Sequence, residues 1–262
     1  MFSARFTFSY LILGAVGLVL AGLAGAYLLG QWVPNDSRVL GYAIRGMDVS
    51  AHQGRVDWNL VAKSGIRFAY LKATEGGDFR DASFVENLRE ARAAGVECGA
   101  YHFFSLKAPG ILQARNFIKT VPKELVTLPP AIDLEYVGNS SARPSPEDFQ
   151  EQLAVFMNAI RKEYGREPVI YTAGDFAGHY LQGIPIKRPW VRAVVFGPGD
   201  VAWVFWQFTE RARVPGINGF VDMDVFNGDS TGFRLLTAEK QVGLDGHGAR
   251  QRDGATPDAF SQ

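Results

Sequence analysis

Asp133 and Glu135 stand two residues apart at the end of the apolar run Leu128-Pro129-Pro130-Ala131-Ile132-Asp133-Leu134-Glu135. A β-strand repeats every two residues, so both carboxyl groups emerge on one face, close together. Two neighbouring carboxyl groups resist ionising together, and one tends to hold its proton near neutral pH. A general acid beside a fixed negative charge is what cleavage of a glycosidic bond requires. The plain alternative for an isolated Asp-x-Glu is a strand end with two solvated acids.

The elements that must position this pair alternate along the chain. Strand-like apolar runs cover 43–49, 66–73, 96–104, 128–135, 168–172, 190–196, 203–208 and 220–226. Helical spacing separates the earlier runs: Phe84, Leu88 and Ala91 share one face, as do Phe149, Leu153, Phe156 and Ile160. Ser145, Pro146, Glu147 and Asp148 form a helix start, and Gly165 is placed to end that helix. Such alternation implies an α/β fold with a parallel sheet, open or closed into a barrel. Only short loops join the runs from 190 to 226. The expectation is therefore an irregular barrel with few helices on its second half.

Other polar residues fall at or near the ends of these runs. Asp48 follows the first, Thr74 and Glu75 the second, and Tyr101 and His102 the third. Tyr171 ends the fifth, Trp206 and Gln207 the seventh, and Asp222 lies in the last. In a parallel β/α barrel those ends share one face, which carries the active site. Tyr101, Tyr171, Trp190 and Trp206 are candidates to stack on sugar rings, with burial in the core as the alternative. His102 is a substrate contact or a buried, hydrogen-bonded histidine. Gln207 offers its amide to a sugar hydroxyl or pairs with backbone. Asp48 could instead cap the turn leading to His52, Glu75 reads as structural, and Asp224 could be a surface acid.

Composition limits the classes of function. The chain has 262 residues, with 27 basic and 27 acidic side chains, so no global field draws it to nucleic acid or anionic lipid. Cys98 is the only cysteine, which excludes an internal disulfide and a cysteine-ligated metal site. The four histidines include no pair at metal-site spacing, so neither a metal nor another cofactor is expected. From Phe6 to Val33 no residue is charged, with Arg5 before and Asp36 and Arg38 after. That length suits a membrane-spanning helix, and Ala24-Gly25-Ala26 offers the rival reading of a cleavable signal segment. Residues 1–33 are thus expected as anchor or signal, 34–42 as a tether, 43–235 as the catalytic domain, and 236–262 as a polar, disordered tail. The domain is expected outside the cytoplasm, either held at the membrane or secreted.

Six stretches in order resemble the glycoside hydrolase family 25 lysozymes. They are Gly46-Met47-Asp48-Val49-Ser50-Ala51-His52-Gln53-Gly54, Lys72-Ala73-Thr74-Glu75-Gly76, the run Ala94 to Phe103, Ala131-Ile132-Asp133-Leu134-Glu135, Phe205-Trp206-Gln207-Phe208, and the run Val214 to Asp224. The resemblance implies an irregular, flattened, TIM-barrel-like β/α fold acting on peptidoglycan glycan strands. The bond cut would be the β-1,4 link between N-acetylmuramic acid and N-acetylglucosamine, with retention. It also implies Glu135 as general acid and base, and Asp133 as stabiliser of the cationic transition state. Asp133 would either orient the substrate acetamido group or attack directly. Asp48 and Asp222 would hold that pair and the sugar in place. Two departures stand out: Val191, Arg192, Ala193, Val194 and Val195 follow Trp190 where the family shows a small residue and an aromatic, and Asp224 stands where asparagine is frequent. A chitinase-like glycosidase lacks its longer acidic run here, and a non-catalytic peptidoglycan-binding scaffold remains the reading from another class.

Overall fold

The computed structural model describes residues 3–238, with side chains from residue 12 onward. Nine strands lie in one sheet: β1 Arg45–Val49, β2 Ile66–Glu75, β3 Phe79–Arg80, β4 Glu97–Phe103, β5 Ala131–Leu134, β6 Val169–Thr172, β7 Pro189–Arg192, β8 Phe205–Ala212 and β9 Val221–Phe226. The helices are α1 Ser3–Leu28, α2 Trp58–Lys63, α3 Phe84–Ala93, α4 Gly110–Thr120, α5 Pro146–Tyr164, α6 Gly174–Tyr180 and α7 Ser230–Ala238. The sheet order β1-β9-β8-β7-β6-β5-β4-β2-β3 closes on itself through β1–β2, giving an eight-stranded barrel with β3 as a hairpin on β2. All eight expected strands are present; the short β3 had no apolar run to announce it.

The expected all-parallel barrel needs one correction. β9 runs antiparallel to both β8 and β1. Eight residues separate Ala212 from Val221, too few for the helical crossover that a parallel neighbour demands. This reversal delivers the start of β9, rather than its end, to the rim where the other strands finish.

Period-two alternation divides the core. Phe68, Tyr70, Tyr171, Trp190, Phe205 and Phe226 fill the barrel interior, closed beneath by Phe233 of α7. Met47, Leu71, Ala100, Ile132, Ile170 and Val225 face outward into a second core shared with the helices. Glycine makes the interior rings fit: a Cβ on Gly46 would meet the Phe68 ring at 2.4 Å, and one on Gly99 the Tyr70 ring at 2.3 Å. α5 is built as its sequence dictates, with the Ser145 hydroxyl accepting from the Asp148 amide and Gly165 ending the helix at φ 61°.

The outer coat is uneven. α2 to α5 follow one another around β1, β2, β4 and β5, whereas no helix joins β7 to β8 or β8 to β9. Residues 34–42, expected as a tether, cover that side instead. Asn35 is buried and donates to the carbonyls of Ala193 (2.9 Å) and Phe208 (3.1 Å). Val39 is buried, and Tyr42 packs on Trp203 and Trp206. A loose tether would leave these groups in water; here they complete the wall.

The expected membrane-spanning segment gains no support: among the described residues, no helix is long and apolar enough to cross a membrane. At the other end α7 continues to Ala238, past the boundary expected at 235, and the Leu236 carbonyl accepts from Arg166. The rest of the expected tail, 239–262, lies outside the described residues.

Candidate active site

The strand ends build one acidic pocket of about 90 Å³ lined by Asp48, Tyr101, Asp133, Glu135, Tyr171, Trp190, Gln207 and Asp222. A larger cavity of about 700 Å³ lies between the start of α2 and the loop at Gly216. It gathers no comparable set of acids, so size is a poor guide here. Asp133 projects inward from β5, and Glu135 follows two residues later, just past the strand end. Asp48 of β1 lies directly opposite Asp222 of β9. The antiparallel β9 thus brings an acid to the rim from the beginning of its strand.

A hydrogen-bonded chain fixes the floor. The Tyr171 hydroxyl donates to Gln207 Oε1 (2.9 Å), and Gln207 Nε2 donates to Asp48 Oδ2 (3.1 Å). Beneath them the Trp190 indole donates to Asp224 Oδ1 (2.7 Å). Asp224 is fully buried in the barrel, not the surface acid that its sequence position allowed. Gln207 is used for positioning an acid, and Asp48 is spent on Gln207 rather than on capping the turn to His52. Ser50 caps that turn.

The same alternation removes two expected sugar contacts. His102 follows the inward Tyr101 and therefore points outward. It is fully buried, bonded to Thr74 (2.7 Å) and Gln113 (3.1 Å), and stacked on Phe156. Burial pushes its pKa down to about 3, so it stays neutral. Trp206 lies between inward Phe205 and Gln207; its indole donates outward to the Ala193 carbonyl (3.0 Å). Neither reaches the pocket.

Burial dominates the electrostatics. It pushes Glu135 up to about 7, with Arg192 opposing and the charges of Asp222 and Glu210 adding. Asp133 is raised first by burial and then by the Glu135 charge. Burial and Glu210 lift Asp222 to about 6, and burial lifts Asp224 to about 8 against its Trp190 hydrogen bond. Asp48 rises through burial and its neighbour Asp222. The proton sharing expected between two acids extends to five, and withdrawal from water is its first cause. The Asp133 Oδ1 atom is buried with no hydrogen-bond partner, a costly state that a substrate donor would relieve.

Three wall residues were not singled out as site groups from the sequence. Lys72 points inward from β2, pairs with Glu75 (2.8 Å), and lies over the Phe79 and Phe103 rings. Arg192 and Glu210 form an ion pair between β7 and β8. Alternation from Trp190 places Arg192 on the pocket side, a signal the sequence did contain. Among the described residues, no group of three or more His, Cys, Asp or Glu could hold a metal ion.

Comparison with known proteins agrees with this geometry. The sequence profile of glycosyl hydrolases family 25 matches residues 47–217. The uncharacterised protein YegX of Escherichia coli K12 is 38% identical over 196 residues, covering 71% of each chain. Lysozyme M1 of Streptomyces globisporus is 34% identical over 223 residues, covering 77% of this chain and 74% of its own. A family 25 glycosyl hydrolase structure from Bacillus anthracis superimposes with a TM-score of 0.69 at 34% identity, over 75% of this chain and 94% of that one. With its profile spanning most of the barrel and two relatives above 30% identity, this chain belongs to glycosyl hydrolases family 25 and is a glycoside hydrolase.

Proposed function

We propose that the protein is a lysozyme that cleaves the β-1,4 bond between N-acetylmuramic acid and N-acetylglucosamine in peptidoglycan, with Glu135 as acid and base and Asp133 as its partner. One observation carries this reading: Glu135 and Asp133 line the same acidic pocket, and a buried oxygen of Asp133 there lacks a hydrogen-bond donor, while burial raises the pKa of Glu135. Glu135 protonates the glycosidic oxygen, and the bond from that oxygen to the anomeric carbon breaks. Asp133 accepts a hydrogen bond from the acetamido N–H, which turns the acetamido carbonyl oxygen onto the anomeric carbon. Glu135, now ionised, takes a proton from water as that water opens the cyclic intermediate. Two displacements at one carbon leave its configuration retained. Asp48 and Asp222 keep the pocket negative, and Tyr171 with Gln207 holds Asp48 in place.

Peptidoglycan lies outside the cytoplasm, and we place the catalytic domain there. The test is product analysis. After digestion of peptidoglycan and borohydride reduction, muramitol is expected at the new chain ends; glucosaminitol there would overturn the assignment. Trapping of a covalent Asp133–sugar adduct by a fluorinated substrate would replace acetamido participation with direct attack.

A further inference from the structure

Glu135 and Ala173 follow directly on the last residues of β5 and β6, and Arg192 is the last residue of β7. Leu134 pairs with Thr172, and Thr172 pairs with Val191. One step onward in that parallel register come Glu135, Ala173 and Arg192, about 10 Å apart at the row's ends over two strand spacings. The residue between them is alanine, which leaves the row open. An arginine side chain can therefore lie across Ala173 and reach the acid. Its register partner on the other side, Gln207, already lines the pocket.

Arg192 does not make that turn: its guanidinium is bound by the Glu210 carboxylate of β8. Glu210 is in turn braced from outside by the end of α1. Tyr27, near the end of α1, lies close enough to feel that carboxylate: its pKa is raised by burial and then by the Glu210 charge. Tyr27 is held there by Arg211, which donates to the carbonyls of Tyr27 (3.1 Å) and Leu28 and lies over the Tyr27 and Phe220 rings. Gly30 fits this joint at φ 66°, where a Cβ would meet Phe220 at 2.4 Å.

We propose that Glu210 is a positioning residue for the acid: it holds Arg192 against the β7–β8 wall so that the guanidinium does not cross Ala173 onto Glu135, and Tyr27 of α1 braces it. This rests on Glu135 being the general acid. Left unrestrained, Arg192 would pair with Glu135 and strip its proton at neutral pH, because an adjacent cation favours the carboxylate. The charged groups facing Glu135 agree in sign: Arg192 and Lys72 lower its pKa, while Asp222 and Glu210 raise it, and Glu135 in turn raises Asp133. Those facing Arg192 are Glu210, Tyr171 and Glu135.

The test is the pH profile of kcat/KM on solubilised peptidoglycan, with the full chain throughout. The wild type should lose activity on the basic side as Glu135 deprotonates near pH 7. Glu210→Gln should move that limb towards acid by about half a unit to one unit, roughly a three- to tenfold loss above it. Arg192→Gln should move it the other way, and the double variant should return towards wild type. Tyr27→Phe should follow Glu210→Gln with a smaller shift. A merely structural pair would lower activity without these opposite displacements. Overlaid limbs, or shifts of the same sign, overturn the proposal. If Glu210→Gln fails to fold, the alkaline shift of Arg192→Gln decides alone. If Glu135→Gln keeps the basic limb, the general-acid reading fails instead, and this proposal falls with it.

Discussion

The two halves of the barrel wall are held by different means. Around β2, β4 and β5 the coat is helical, and its polar residues are locked inside: Gln113 of α4 binds His102 and the backbone of Ser105 and Ala108, while Phe156 of α5 stacks on His102. Around β7 and β8 the coat is the chain's own N-terminal segment, joined through Asn35, Tyr42 and the Arg211–Tyr27 contact. The helical half supplies Asp133 and Glu135, and its coat comes nearest them through Tyr136, which packs on Phe176 and Tyr180 of α6. The other half supplies Arg192, Gln207 and Glu210, and its coat is bonded to Arg211, the residue next to Glu210. Stability and chemistry are separable on one side and joined on the other.

That contrast sets the expected effects of substitution. Phe156→Ala should have the largest effect on stability, about 3–5 kcal/mol by thermal or urea unfolding, as a large buried ring is removed. Its pH profile should not move; a displaced limb would mean the helical coat also governs the acids. Asn35→Ala should cost less, about 1–3 kcal/mol, because the carbonyls of Ala193 and Phe208 lose their donor. It should, however, lower kcat/KM as β7 and β8 part, and full activity in a destabilised variant would break the link. Asp224→Asn should act through pH. The folded-state pKa is about 8 against an ordinary 3.8, so the wild type binds the extra proton when folded. That contribution is complete below the unfolded value and lost as pH rises through the folded one. Asp224→Asn should therefore raise Tm at alkaline pH and leave it little changed in acid, since Asn can still accept from Trp190. Equal Tm differences at both ends would rule out the buried carboxyl as the cause. Gly30→Ala should have the smallest effect on global unfolding. It should nonetheless loosen α1 from Phe220, visible as faster amide exchange around Tyr27.

Much of this was legible in the residue order. All eight barrel strands, the caps of α5 and the convergence of Asp48, Asp133, Glu135 and Asp222 follow from apolar runs and the residues that end them. Alternation reaches further still: counting from Tyr101 and from Gln207 turns His102 and Trp206 outward, and counting from Trp190 turns Arg192 inward. Three features had no local signal. The antiparallel run of β9 is a property of chain closure, visible only as a short connection. The burial of Asp224 depends on the Trp190 indole, 34 positions away. Residues 34–42 look like a tether because their partners, Ala193, Trp203, Trp206 and Phe208, are remote in sequence and supply the missing cover only in three dimensions.

The most direct test of the account compares release of new reducing ends from one peptidoglycan preparation by wild type and by Glu135→Gln, with folding checked by circular dichroism. Removal of a general acid from a glycosidase should lower turnover by about 10²–10⁴ while glycan binding persists. A folded Glu135→Gln protein that keeps its rate within a factor of a few would contradict the assignment of the acid.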